Sequence, residues 1–323
     1  MRGFEKVVFS ITYDCNSKCE TCFFWKEVNQ GKKVLSMAEI RKVSDKMSMF
    51  NLLVLSGGEP TLKKEIVDIV QLFHENNGVK EVQFATNCLL PDRIRDVIRN
   101  ILHRCPQLKL RVCLSLDGVG KVHDTTRGVV GNFDRVVELE RKLKYLQNPN
   151  LSVRVRTTIT PNNYGNMEAL MLFVRQNMNV SGHDLEFARG NTRDERMKEF
   201  SVGQVVSLNR KVLENSMFYY PNLLHKFYER HNLKHHMKLL ERFYRTKKLS
   251  RQCVAGKDFI IILPDGDVCV CESTLPMGNL RDYNYDINTL LASADNTIFG
   301  CDCPQGVVSK SFLERLKVFF YGS

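Results

Sequence analysis

Two hydrophobic rhythms alternate along the chain. Short runs rich in β-branched and aromatic residues read as strands at Val7–Tyr13, Leu52–Leu55, Glu81–Thr86, Leu110–Leu116, Ser152–Thr158 and Asp184–Ala188. Between them apolar residues return every three or four positions, which predicts helices over Ala38–Met49, Lys63–Asn76, Asp92–His103, Phe133–Leu146 and Met167–Gln176. Start signals agree: Ser36 with Glu39 three residues on is a capping box, and Pro91-Asp92 opens another helix. Six βα units in a row predict parallel strands joined by right-handed crossovers, hence an α/β fold. It is either an open doubly wound sheet or a curved partial (β/α)6 barrel of TIM type, and in both the chemistry belongs at the C-terminal strand ends. The unusual segments fall there: Asp14–Cys22, Ser56-Gly57-Gly58-Glu59-Pro60, Thr86-Asn87, Ser115-Leu116-Asp117-Gly118 and Arg189-Gly190.

After about residue 203 the pattern changes to basic helices. From Cys253 it changes again, to a hairpin of Phe259–Leu263 and Val268–Cys271 around Pro264-Asp265-Gly266-Asp267, and it closes on a helix over Lys310–Phe320. The expected organisation is a barrel over 1–202, a basic helical linker over 203–252 and a small domain over 253–323.

Composition narrows the class. With 323 residues, 43% apolar and 26% charged, the chain has the make-up of an ordinary globular protein. No signal peptide is expected, and Phe259–Leu263 is far too short to span a membrane, so a cytoplasmic location is expected. The segment from Val205 to Gln252 supplies +8 of the net charge of +11. It is either a solvated face or an attractor for an anionic substrate or acidic partner. The basic character raises RNA as a target, but no RNA-binding module and few interleaved aromatics accompany it.

Eleven cysteines in a reducing compartment point to metal or catalysis rather than disulfides. Eight are grouped, as Cys15/Cys19/Cys22 and Cys253/Cys269/Cys271/Cys301/Cys303, whereas Cys88, Cys105 and Cys113 are scattered in structural contexts. Cys113, between Val112 and Leu114, is also a candidate for the barrel lumen. Cys15-x3-Cys19-x2-Cys22 offers three thiolates on one loop. A structural zinc or a closed cluster wants four ligands, so three leave one iron of a [4Fe–4S] cluster open; the alternative is zinc with a distant fourth ligand. Gly57-Gly58-Glu59-Pro60 follows a strand, where small residues permit close approach of the backbone to a ligand and Glu59 can accept from a cationic amine.

Together these two loops resemble the radical S-adenosylmethionine (radical SAM) superfamily. The resemblance implies that Cys15, Cys19 and Cys22 hold a [4Fe–4S] cluster and that Gly57, Gly58 and Glu59 hold the amino group of S-adenosylmethionine. Ser115 and Arg127 then match residues meeting its ribose and carboxylate, and Asn87 is a candidate for the same pocket. Thr21 stands where an aromatic residue often precedes the third cysteine, which leaves Phe23, Phe24 or Trp25 to cover the adenine. The C-terminal cysteines resemble the auxiliary-cluster appendage called SPASM, or its shorter form Twitch. That resemblance implies a second [4Fe–4S] cluster on Cys253, Cys271, Cys301 and Cys303, with Cys269 as the alternative to Cys271.

The implied activity is reductive cleavage of S-adenosylmethionine to a 5′-deoxyadenosyl radical that takes hydrogen from a substrate carbon. Dehydrogenation, epimerisation or cross-linking of a peptide or of a small sugar- or alcohol-like molecule would follow, with a flavodoxin or ferredoxin as reductant. A radical RNA-modifying enzyme is the alternative. Cys15 comes too early for the leader-recognition domain that many peptide-modifying relatives carry.

Overall fold

In the computed structural model the described residues are 4–220, 222–246, 255–256, 258–272 and 274–293. They fall into two compact units, one built from 4–198 with 255–293 and the other from 199–246.

The first unit contains β1 (Lys6–Thr12), β2 (Leu52–Gly57), β3 (Glu81–Thr86), β4 (Lys109–Ser115), β5 (Leu151–Ile159) and β6 (His183–Phe187), all parallel. The expected strands are met to within one or two residues at every end. Helices α1 (Met37–Lys46), α2 (Ile66–Asn77), α3 (Pro91–Arg104), α5 (Asn132–Lys144) and α6 (Met167–Asn177) fill the crossovers. One further helix, α4 (Lys121–Arg127), lies in a stretch that shows no helical periodicity; Gly120 precedes it and the left-handed Gly128 ends it. The capping box of α1 forms as its sequence predicts, with Ser36 and Glu39 each bonding the other's backbone N–H.

Phe9 of β1 meets Phe73 of α2 edge-on, with ring centroids 6.0 Å apart, which identifies one face of the sheet as the helix side. Register carries that face across the strands through Val7, Phe84, Val112, Leu114 and Val155, all fully or nearly fully buried. Side chains alternate along a strand, so Lys6, Gln83, Arg111, Cys113, Arg154 and Arg156 occupy the opposite face.

The segment from Ala255 extends this sheet. β7 (Phe259–Ile262) runs parallel to β1 along its second edge, and β8 (Asp267–Cys269) and β9 (Gly278–Asn279) follow antiparallel. The strand order is β6-β5-β4-β3-β2-β1-β7-β8-β9. The aliphatic run Ile260–Ile262 explains the attachment, because a strand apolar on both faces is buried most fully beside another strand inside the fold. Arg281 in the loop after β9 ties this extension to α1 by bonding Glu39 at 2.6 Å.

β6 and β8 lie far apart in the strand order. Even so, Arg189, just after β6, pairs with Glu272, just after β8, at 2.7 Å. The sheet therefore curls until its two sides meet, as a partial barrel requires. Burial lowers the pKa of Lys6 of β1, and the charges of Glu272, Arg156, Arg189 and Glu186 all reach it, in keeping with the polar face as the enclosed side.

The second unit contains α7 (Val202–Met217) and α8 (Leu223–Thr246), packed through Phe200 against Tyr244 and Asn209 against Glu241. Arg210, Arg230, Lys234, Lys238, Arg242 and Arg245 are exposed there. The closing helix expected over Lys310–Phe320, together with Cys253, Cys301 and Cys303, lies outside the described residues. α9 (Ile287–Ser293) ends the described chain. No helix among the described residues is long and apolar enough to cross a membrane.

Candidate functional site

The loop after β1 is fixed before it reaches its first cysteine. Gly58 N–H donates to Thr12 O and Glu59 N–H to Asp14 O, each at 2.8 Å, so the end of β2 is stitched to the root of the three-cysteine loop. A Cβ on Gly57 would collide with the Thr12 carbonyl, and one on Gly58 with the Asp14 carbonyl; Gly57 also sits at φ 115°. The two glycines are thus required by the neighbouring backbone itself.

Glu59 is buried, and each of its oxygens accepts within the protein. Thr61 Oγ1 donates at 2.6 Å and Thr86 Oγ1 at 2.9 Å to one oxygen, and Asn87 N–H donates at 2.7 Å to the other. Burial raises its pKa while these donors oppose the rise. The described side chains therefore give Glu59 the task of joining the ends of β2 and β3. Asn87, held in this way, turns its amide to Asn16 Oδ1 at 2.7 Å and lies 4.0 Å from Cys15 Sγ.

Two further residues hold the cysteine loop, and sequence reasoning did not find either. Asn29, in the left-handed region at φ 60°, clasps Cys15: its Oδ1 accepts from Cys15 N–H at 2.9 Å and its amide donates to Cys15 O at 2.8 Å. Ser17 Oγ donates to Arg127 O at 2.9 Å and lies 3.1 Å from Cys19 Sγ. Asn tolerates the left-handed region better than most residues, and here it stands two positions before the left-handed Gly31.

Arg127, the last residue of α4, brings a buried cation to this loop. Its Nε lies 2.6 Å from Asp117 Oδ2 and its Nη1 3.8 Å from Cys19 Sγ. Burial works against its charge, but Asp117 and Cys19 outweigh this and its pKa is raised. Asp117, at zero exposure, also accepts from Thr158 N–H at 2.8 Å, and its own N–H donates to His123 Nδ1 at 3.0 Å. Lys18 N–H and Glu20 N–H donate to the carbonyls of Arg127 and Thr126, so the loop rests on the C-terminus of α4. Ser115, at the end of β4, is buried beside this network.

Cys15, Cys19 and Cys22 are half-buried and none is in a disulfide. Burial, then the neighbouring Cys19, Glu59 and Cys22, pushes the Cys15 thiol up to about 12, and burial and Cys19 raise Cys22. Among the described residues, no three His, Cys, Asp or Glu side chains already converge as a metal-ligand group. Three thiols on one loop whose negative charges repel, with Arg127 beside one and the Asn87 amide beside another, are a donor set that suits a cationic iron–sulfur centre with one coordination position left open. Phe24 packs on Tyr13 and Phe23, and Trp25 lies under Lys26 and Arg193.

The C-terminal cysteines divide. Cys269 is buried in an apolar cluster with Val8 and Ile261, and burial raises its pKa to about 12. Cys271 is half-buried in the turn after β8, where its N–H meets Thr274 Oγ1 at 3.2 Å. The structure thus assembles Cys15, Cys19, Cys22, Gly57, Gly58, Glu59, Asn87, Ser115 and Arg127 at the C-terminal strand ends, and leaves Cys271 apart in the extension.

Comparison with known proteins identifies the family. The family described as the Radical SAM superfamily matches residues 9–174, just over half of the chain. The chain belongs to the radical SAM superfamily, whose members are enzymes that pair a [4Fe–4S] cluster with S-adenosylmethionine. It is 29% identical over 167 residues to the Fe-coproporphyrin III synthase of Methanosarcina barkeri, which covers 51% of this chain and 39% of that protein. The chain thus spans well under two thirds of that relative's length.

Its fold is similar to the crystal structure of Streptococcus suis SuiB bound to precursor peptide SuiA. The TM-score is 0.63 at 18% identity, covering 93% of this chain and 66% of that one. It is similar also to native anSMEcpe with bound AdoMet and Cp18Cys peptide, with a TM-score of 0.62 at 15% identity, covering 97% of this chain and 86% of that one.

Proposed function

We propose that this chain is a radical SAM oxidoreductase that takes a hydrogen atom from a carbon of a substrate enclosed in the barrel lumen, giving dehydrogenation, epimerisation or a cross-link. The observation that carries the reading is the meeting of the cysteine loop, the Gly57–Glu59 loop and the Asp117–Arg127 pair at one mouth of a barrel whose lumen wall is polar. When bound, the cluster on Cys15, Cys19 and Cys22 and S-adenosylmethionine supply the 5′-deoxyadenosyl radical.

This chain's own residues do the rest. Glu59 holds the β2 and β3 ends together and fixes Asn87 toward Cys15, while Arg127 places a permanent positive charge next to Cys19. Gly57, Gly58, Asn87, Ser115 and Arg127 form the pocket wall offered to the cosubstrate, and the curled sheet keeps bulk water from the lumen.

A peptide is the favoured substrate class, supported by the fold shared with two enzymes whose structures hold peptides. A small sugar- or alcohol-like molecule is second. A flavodoxin or ferredoxin is the proposed reductant. Within this reading, residues 253–323 are a Twitch-like region with a second cluster on Cys253, Cys271, Cys301 and Cys303. The burial of Cys269 in the apolar cluster favours Cys271 as the ligand from the hairpin. The cysteines among the described residues are free of disulfides, which suits a cytoplasmic location.

Anaerobic reconstitution, reduction and addition of S-adenosylmethionine are expected to release 5′-deoxyadenosine, and C15A to abolish it. No cleavage by the wild-type chain would overturn the reading. Iron analysis is expected to give about eight Fe per chain, and about four would remove the second cluster.

A further inference from the structure

We propose that Arg156 is the anion-binding residue of the barrel lumen, its guanidinium taking a carboxylate or phosphate group of the substrate. The proposal rests on the reading of the lumen as the substrate site. Arg156 stands on β5 directly opposite Ser115 of β4 on one side and Asp184 of β6 on the other. Asp184 is its natural partner by register, yet both Asp184 oxygens are taken by Arg154, from Nε at 2.9 Å and Nη2 at 2.5 Å.

Of the other cations of the lumen side, Lys6 lies over the Phe259 ring at 4.4 Å and two arginines are matched with acids. Arg111 pairs with Glu81 at 2.8 Å and Arg189 with Glu272 at 2.7 Å. Among the described residues, none closes a hydrogen bond or ion pair on the guanidinium of Arg156, and its Nε is buried without a partner. Glu186 and Asp184 act on it through space, and Lys6 and Arg189 bring further positive charge to the same region.

Arg156 is half-buried, its Nε is shut off from water, and the acids that favour its charge act only through space, so its fork is left without a bonded partner. The guanidinium is a planar fork that binds two oxygens of a carboxylate or phosphate at once. Ser115, the neighbour of Arg156 across the β4–β5 ladder, leads into the Asp117–Arg127 network at the mouth. A substrate anion on Arg156 therefore anchors one end of the molecule on the wall beneath the radical-forming loop and leaves the remainder to reach toward it. A single fixed point of this kind selects which carbon is presented.

The test uses the reconstituted holoenzyme and its R156M and R156K variants, with inorganic phosphate and succinate as probes in calorimetric titration and thermal melting. R156M is expected to melt within a few degrees of the wild-type temperature, because it removes no hydrogen bond or ion pair. It is also expected to bind at least one probe about tenfold or more weakly, with R156K intermediate. Arg156-dependent binding of phosphate alone assigns a phosphate group and of succinate alone a carboxylate, and binding of both establishes a general oxyanion site.

Failure of R156M to fold, or a melting point several degrees lower, makes Arg156 a structural residue and overturns the proposal. Equal binding of both probes by wild type and R156M, or binding by neither, also overturns it. Release of 5′-deoxyadenosine is measured on the same samples. If it is absent while Arg156-dependent binding persists, the radical reading fails and the anion site stands.

Discussion

Arg127 Nε lies 2.6 Å from Asp117 Oδ2, in a pair whose carboxylate has no solvent exposure and whose guanidinium continues to within 3.8 Å of Cys19 Sγ. One side chain thus neutralises a buried acid and places positive charge beside a thiol. R127M is expected to leave Asp117 uncompensated and to lower stability by about 3–5 kcal/mol. R127M/D117N, which removes both charges, is expected to recover much of that loss without recovering iron. Urea unfolding with iron analysis after reconstitution checks both halves.

Gly58 predicts a different failure. A Cβ there meets the Asp14 carbonyl, one residue before Cys15, and backbone cannot move aside as a side-chain tip can. G58A is expected to shift the root of the cysteine loop, with a cost of about 1–3 kcal/mol and a reconstituted iron content well below wild type. Wild-type iron loading in G58A would show that the loop tolerates the displacement.

Acid sensitivity follows from two histidines. Burial lowers His123, with Arg127 adding to the effect, and burial lowers His183, each to about 3. The unfolded chain takes up these protons near 6.5, whereas the folded chain refuses them until about 3. Their contribution is complete above 6.5 and drains as pH falls toward 3, by about 1.4 kcal/mol per pH unit for each. Urea midpoints at pH 7, 5.5 and 4.5 should fall accordingly, and H183Q should flatten the slope.

Glu39 contributes in a more acid window. Its hydrogen bond from Arg281, with help from Ser36 and Tyr285, lowers it from 4.5 to about 2, so its stabilisation is present above 4.5 and is lost toward pH 2. E39Q is expected to cost about 1 kcal/mol at neutral pH. It should also raise amide exchange in β8 and β9, because Arg281 then loses its hold on α1. Exchange unchanged in those strands would show that β7 alone secures the extension.

The six parallel strands and the five crossover helices were legible because each strand and helix writes its own periodicity. Ser36 and Glu39, and Pro91 in the first turn of α3, mark helix starts within a few residues of chain. α4 was not legible: its seven residues carry no apolar repeat, and Gly120 and Gly128 around it read as loop. The parallel pairing of β7 with β1 was hidden for another reason, since Lys6 and Phe259 are brought together only by the folded sheet.

At the site, the cysteine spacing identified the loop, but the partners that Glu59 takes within the protein were not legible. A buried acid followed by Pro60 and Thr61 is also the N-cap of a short 3-10 helix, and Thr61 N–H takes that role here. Asn29 was missed because its bond to Cys15 spans fourteen residues of irregular chain.

The contact between Arg189 and Glu272 has a mechanical consequence. Elsewhere the barrel wall is laced by ladders of backbone hydrogen bonds, whose spacing is set by peptide geometry and is indifferent to dissolved ions. Along the line where the curled sheet meets itself, a side-chain ion pair takes the place of a ladder, and its hold slackens as ionic strength rises. The barrel is therefore hooped firmly round most of its girth and fastened by a clasp along one seam, and the width of that seam is the dimension the surrounding electrolyte can tune.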